Sequence, residues 1–268
     1  MKPTRIDERF AQLKKDGKKG FVAYLTAGDP NLPASLDIVK RLEDAGADFI
    51  EFGVPFSDPL ADGPTIQAAS QRALEGGATL KGVYETLGEI RSQSEIPLVL
   101  FTYMNPMYAQ GFERAVKRAA KAGVDGMLIV DISMEEVEPY AALMEKHGLN
   151  HIPLVTPTTP GKRMKEIVKT ASGFVYAVSR TGVTGVQNEM QKDATELLRK
   201  ANRYSKLPVA LGFGVSTPEQ ARAYAELTDA VVVGSYIVKC YHEAGDSPAG
   251  RKKATAKIKK LIDAVKSV

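Results

Sequence analysis

Residues 48–65 read Asp48-Phe-Ile-Glu51-Phe-Gly-Val54-Pro55-Phe-Ser-Asp58-Pro59-Leu-Ala-Asp62-Gly-Pro-Thr65. The first seven alternate as a strand does. Phe49, Glu51 and Gly53 share one face, while Ile50, Phe52 and Val54 share the other. One face is apolar throughout and the other carries an acid. A proline-rich loop follows, and Gly63-Pro64-Thr65 has the composition of a helix start. The stretch is therefore one strand–loop–helix unit with a carboxylate near the end of its strand. An unpaired buried carboxylate is costly, so Glu51 is either satisfied structurally or used.

The same unit recurs along the chain. Eight short apolar runs, Phe21–Leu25, Phe49–Val54, Pro97–Tyr103, Gly126–Val130, His151–Val155, Phe174–Ser179, Pro208–Gly212 and Ala230–Gly234, are rich in Val, Ile, Leu and aromatics. Buried parallel strands have this composition. Between them lie helical patterns, such as Phe112, Ala115, Val116 and Ala119, or Leu197, Leu198, Ala201 and Tyr204. Gly46, Gly123 and Gly148 each close a periodic run, and Ser216-Thr217-Pro218-Glu219 opens one. Eight repeats over most of 268 residues predict a single (β/α)8 TIM barrel spanning 1–268. The alternative is a doubly wound open sheet, but Thr26-Ala-Gly28-Asp-Pro30 after the first strand is not the glycine-rich turn which that fold favours. Two extra short helices are expected. One, Ile6–Leu13, would cover the bottom of the barrel, and another, Leu80–Arg91, would lie between strands two and three.

Composition excludes several function classes. The net charge of +4 is small, and much of it lies between Arg251 and Lys260. There Ala254, Ile258, Leu261, Ile262 and Val265 recur at helical spacing, so the lysines read as the wet face of a closing helix. One cysteine, Cys240, excludes an internal disulfide. The polar N-terminus lacks a signal-peptide core, and no apolar run approaches the ~18 residues of a membrane helix. These features lead to the expectation of a cytoplasmic protein. The three histidines and single cysteine show no zinc-ligand spacing. No strand contains a lysine, which argues against a Schiff-base aldolase.

In a barrel, reactive groups sit where strands end. Three clusters qualify. The first is Glu51 with Asp62, two carboxylates that could divide acid and base roles. Alternatively, Glu51 is a hydrogen-bonded rim acid, Asp62 caps the next helix, and Asp58 forms a turn. The second is glycine-rich: Ser179-Arg-Thr-Gly-Val-Thr184-Gly185, Gly212-Phe213-Gly214 and Gly234-Ser235 follow three successive strands. Backbone amides there would hold a phosphate, unless these are ordinary loop glycines. The third is aromatic. Tyr24, Phe101, Tyr103, Tyr176 and Phe213 fall near strand ends, either as core or as a pocket for a flat apolar ring with hydroxyls left for polar atoms.

Residues 51–67, Glu51-Phe-Gly-Val-Pro-Phe-Ser-Asp-Pro-Leu-Ala-Asp-Gly-Pro-Thr-Ile-Gln67, resemble the signature of the tryptophan synthase alpha subunit. The likeness extends to Tyr24-Leu-Thr-Ala-Gly-Asp-Pro30, Tyr103-Met-Asn105-Pro, Asp131, Ser179–Gly185, Gly212-Phe-Gly214 and Gly234-Ser235-Tyr-Ile-Val-Lys239. It implies a barrel that cleaves indole-3-glycerol phosphate to indole and glyceraldehyde 3-phosphate. By this resemblance Glu51 is the catalytic acid/base, Asp62 the second carboxylate and Tyr176 their support. Gly185, Gly214, Gly234 and Ser235 would hold the phosphate. Tyr24, Phe101, Tyr103 and Phe213 would line the indole pocket, and Thr184 would help to close it. The resemblance also implies a pyridoxal-phosphate beta subunit as partner in an alpha2beta2 heterotetramer, met by the loop holding Pro55, Asp58 and Pro59. The pyridoxal phosphate would belong to that partner, with no cofactor in this chain. Val186 and Gln187 replace a common Ala-Arg, and Phe101 and Met104 also depart from the family pattern. A stand-alone lyase, a non-catalytic activating subunit and an isomerase of a related sugar phosphate are the competing readings.

Overall fold

The computed structural model describes residues 2–178, 187–212 and 214–268, the side chains of 187–193 excepted. In chain order the elements are α1 Arg5–Lys15, β1 Gly20–Thr26, α2 Leu32–Asp44, β2 Phe49–Gly53, α3 Pro64–Glu75, α4 Leu80–Arg91, β3 Leu98–Thr102, α5 Met104–Tyr108, α6 Phe112–Lys121 and β4 Gly126–Ile129. There follow α7 Val137–Lys146, β5 Asn150–His151, β6 Leu154–Val155, α8 Gly161–Ile167, β7 Val175–Val178, α9 Gln187–Tyr204, β8 Val209–Gly212, α10 Pro218–Ala225, β9 Ala230–Val233, α11 Ser235–Ala244 and α12 Pro248–Lys266.

Every strand pairing is parallel, in the order β5-β4-β3-β2-β1-β9-β8-β7-β6. The two ends of this order are halves of one run. Ile152 N–H donates to the Met127 carbonyl at 3.0 Å, and the Pro153 carbonyl accepts from Tyr176 N–H at 3.0 Å. The chain thus changes partner between residues 152 and 153, and the ring closes as a (β/α)8 barrel. The fifth apolar run predicts one strand. It forms two because Pro153 has no N–H to continue the ladder.

Alternation along the strands sorts side chains as expected for β2. Ile50 and Phe52 face outward into the layer beneath the helices. Phe49 faces inward, with Val22, Val99, Leu128, Phe174 and Val232. Helix α1 fills the lower end of this interior with Ile6, Phe10 and Leu13. The Phe10 ring stacks on Phe49 at 4.5 Å and lies 5.5 Å from Phe174. Thr4 and Asp7 form a capping box that starts α1. Arg5 reaches Asp125 at 3.0 Å and Arg9 reaches Asp48 at 2.5 Å, fastening the plug to strand starts. The barrel is closed below, so its C-terminal mouth is where a ligand can enter.

The expected helix Leu80–Arg91 is α4, between β2 and β3. It packs Val83, Leu87 and Ile90 onto the outer layer. The helix that leaves the ring is α3, whose Ile66 and Ala69 lie over the mouth against Tyr24. Helix α12 buries Ala254, Ile258, Leu261, Ile262 and Val265, so Lys252, Lys253, Lys257, Lys259 and Lys260 are exposed as the spacing implied, while Lys266 turns inward to Asp48 and the Lys19 carbonyl. Among the described residues no helix is long and apolar enough to cross a membrane.

Candidate active site

The site begins with Glu51. Its Cα stands level with Tyr24 on β1 and Val99 on β3. The residue is 1% exposed, and neither carboxylate oxygen has a hydrogen-bond partner. Burial alone raises its pKa to about 8. Burial penalises the ionised carboxylate and no charge among the described residues offsets it, so the neutral acid is the favoured form near pH 7.

Asp62 occupies a different environment. It is not the helix cap that its position suggested: Gly63 is the N-cap of α3, with no side-chain bond. The Tyr103 hydroxyl donates to Asp62 Oδ2 at 2.9 Å and accepts from Ala61 N–H at 3.0 Å. Gln67 Nε2 donates to the Asp62 carbonyl at 2.9 Å. Burial pushes the Asp62 carboxyl up, and the Tyr103 bond draws it back down. One acid is therefore unpartnered and the other held. The Tyr103 hydroxyl, expected to be free for a ligand, is taken by this bond.

The rings close around the acids. Tyr24 and Phe101 meet edge to face at 5.2 Å, and the Tyr24 hydroxyl lies 3.3 Å from Thr26 Oγ1. Burial and then the nearby Asp62 hold the Tyr24 hydroxyl well above its ordinary pKa; burial and then Glu51 do so for Tyr176. Both phenols keep their protons. Two glycines make room for them: Gly212, which the sequence places in the glycine-rich cluster for its amides, and Gly53, which it does not single out. A methyl on Gly212 would stand 2.6 Å from the Tyr176 hydroxyl, and one on Gly53 would stand 2.8 Å from Tyr24 Cζ. The signal for Gly53 was its place on the inward face beside Glu51. Gly53→Ala is expected to displace Tyr24, destabilise the chain by about 1–3 kcal/mol through overpacking, and raise the substrate KM. Urea unfolding and steady-state kinetics check both.

Glu51, Asp62, Tyr24, Phe101 and Tyr176 line one cavity of about 700 Å³ with Gly214, Gly234 and Ser235. Gly234 is the N-cap of α11 and Ser235 its first residue. Gly214, at φ +75°, adopts a backbone conformation suited to glycine. Unpaired amides of a ten-residue helix therefore open into the cavity that contains the two acids. Thr184, Gly185, Phe213 and Val186 lie outside the described residues, as does the Gln187 side chain. Met104 is not in the cavity lining; its N–H donates to Asp131 Oδ1 at 2.7 Å. Of the loop residues, Pro55 is buried, Pro59 is partly so, and Asp58 is exposed beside Ser57, whose hydroxyl donates to it at 2.5 Å. Leu60 is 90% exposed, and Phe56 lies 5.2 Å from the Tyr103 ring. No group of three or more His, Cys, Asp or Glu among the described residues is arranged to hold a metal ion.

A family model described as tryptophan synthase alpha chain matches residues 10–267. The chain belongs to the tryptophan synthase alpha chain family. Among its relatives, the tryptophan synthase alpha chain of Caldanaerobacter subterraneus subsp. tengcongensis is 47% identical over 236 residues, 88% of this chain and 90% of that one. The tryptophan synthase alpha chain of Caulobacter vibrioides is 44% identical, covering 100% of this chain and 98% of its own. The fold is similar to that of tryptophan synthase subunit alpha from Legionella pneumophila, with a TM-score of 0.91 and 32% identity over 99% of this chain and 100% of that one. It is also similar to a chain from the tryptophan synthase α2β2 complex of Pyrococcus furiosus, with a TM-score of 0.83 and 36% identity over 91% of this chain and 98% of that one. The family match extends through α12, so it includes the barrel and every part of the cavity described above.

Proposed function

We propose that Glu51 and Asp62 move the protons in the family's reaction, the retro-aldol cleavage of indole-3-glycerol phosphate to indole and glyceraldehyde 3-phosphate. The observation that carries this reading is the buried, unpartnered Glu51 carboxyl on the wall of a cavity that also opens onto a helix N-terminus. Cleaving the bond from indole C3 to the glycerol chain requires a proton on C3. The adjacent hydroxyl must lose its proton as it becomes the aldehyde. Glu51 gives its proton to C3 and recovers one from that hydroxyl, ending as it began. Asp62, ionised, takes the indole N–H proton as charge builds in the ring and returns it when indole forms. Tyr176, with its proton retained, supports the pair from β7. The phosphate rests on the amides at Gly214, Gly234 and Ser235, joined by Gly185. Tyr24 and Phe101, with Phe213, hold the indole ring, and Thr184 helps to close the site. The chain's own part needs no cofactor.

Indole then passes to a beta chain, the partner in an alpha2beta2 tryptophan synthase, where pyridoxal phosphate is held. The loop of Pro55, Asp58 and Pro59 is our choice for the contact. It carries the exposed Leu60, ends at Asp62, and touches Tyr103 through Phe56. A cytoplasmic setting fits the single buried Cys240.

The reading fixes the shape of the pH profile. Glu51 must be protonated to act, so kcat/KM, which reports the ligand-free enzyme, is expected to fall as pH rises through about 8. Asp62 must be ionised, so the acidic limb is expected above the ordinary aspartate range, because burial raises that carboxyl. Indole release measured across pH, with the beta chain present, tests both limbs. A basic limb that starts near pH 5 would contradict the role given to Glu51.

A further inference from the structure

Helix α3 is held at both ends. Near its start, Ile66 and Ala69 pack on Tyr24, and Gln67 holds the Asp62 carbonyl at 2.9 Å. Near its end, Arg72 forms a two-pronged pair with Asp29, from Nε to Oδ1 at 2.9 Å and from one terminal nitrogen to Oδ2 at 2.7 Å. The Asp29 side chain is 9% exposed and that of Arg72 29%. Asp29 lies in the turn after β1, the strand that carries Tyr24. That turn sits directly on the end of α3. Gly28 has φ +85°, and a methyl there would stand 2.6 Å from the Ala78 side chain and 3.4 Å from that of Ala73. The helix is therefore a strut lying across the mouth, with Asp62 two residues before one end and the Arg72–Asp29 fork near the other.

Resting on the proposed lyase reading, we infer that Arg72 and Asp29 are positioning residues for the reaction: their fork holds α3 down so that Asp62 meets the indole nitrogen at a fixed place. A planar guanidinium against a carboxylate fixes direction as well as distance, which a lysine cannot reproduce. The phosphate amides lie in the Gly214 turn and on α11, which meets α3 at Val238 but is also tied to α12 by the Tyr241 and Thr255 hydroxyls at 2.8 Å. Loosening the strut should therefore misplace one acid and leave the anchored end of the substrate where it was. A small misplacement of a reacting group can slow an enzyme greatly with little effect on binding.

The test compares the full-length wild type, Arg72→Gln, Arg72→Lys and Asp29→Asn, each with the beta chain and each checked for folding by circular dichroism. In Arg72→Gln, kcat for indole formation is expected to fall about ten-fold or more. KM and the affinity for glycerol 3-phosphate are expected to stay within about two-fold. Arg72→Lys should recover part of the loss. The acidic limb of kcat/KM should move down toward the ordinary aspartate range in Arg72→Gln as water reaches Asp62. If Arg72→Gln fails to fold, Asp29→Asn, of equal size, should give the same pattern. The inference is overturned if folded variants keep kcat within about two-fold, or if activity falls only with the folded fraction while the acidic limb stays in place. A wild type that releases no indole would refute the lyase reading instead.

Discussion

Glu51→Gln is expected to slow indole release by about 10²–10⁴-fold, the usual worth of a positioned proton donor, with the affinity for glycerol 3-phosphate nearly intact. Glutamine has the size of glutamate but no acidic proton to give. Glu51 has no hydrogen-bond partner among the described residues, so the substitution breaks no network described there. Its effect should fall on kcat, as for an interaction used in the transition state. Stability should change in the opposite direction. Glu51 has a folded pKa raised from 4.5 to about 8. Between those values the unfolded chain releases the proton that the folded chain retains. Stability from this group is therefore whole below about pH 4.5, declines as pH rises, and levels off above about pH 8. The loss is on the order of 5 kcal/mol at most. Glutamine does not titrate, so the variant should gain on the wild type as pH rises from 5 to 8. Urea unfolding at both values measures this.

Asp62→Asn is expected to cost about 10²-fold in kcat with a smaller change in KM. The asparagine oxygen can still accept from Tyr103, and the Gln67 bond goes to the backbone, so the loop should stay in place. What is lost is the negative charge that faces the indole nitrogen. The acidic limb of the pH profile should disappear, because the group that must ionise is gone. Steady-state kinetics from pH 5 to 9 distinguish this from simple loosening of the loop, which would shift the limb without removing it.

Much of the site was legible because strand alternation is rigid. Once residues 49–53 form a strand, Phe49 and Glu51 share a face, and the apolar face must turn outward to the helices. Helix α1 was legible from its spacing, and the anion end of the cavity from glycines at successive strand ends. Other features depended on contacts far apart in sequence. Gly53 and Gly212 matter because of the tyrosines on adjacent strands, and only the sheet register reveals that Thr26 faces Gly53 and that Gly212 lies beside Val178. Asp62 looked like a helix cap because Asp before Gly-Pro favours that role; the cap fell to Gly63, leaving the carboxylate for Tyr103. The fork between Asp29 and Arg72 joins residues 43 positions apart and has no local signature. Pro153, visible in the sequence, marks a break whose consequence appeared only when the ring closed through residues 152 and 153.

The most direct test is to incubate the chain and its Glu51→Gln variant with indole-3-glycerol phosphate and beta chain, and to quantify indole and glyceraldehyde 3-phosphate. For the beta chain to leave indole unconsumed, serine is omitted. The wild type should release the two products in equal amounts, and the variant almost none while still binding glycerol 3-phosphate. Equal release by both proteins, or a wild type that forms no indole, would contradict a lyase driven by Glu51.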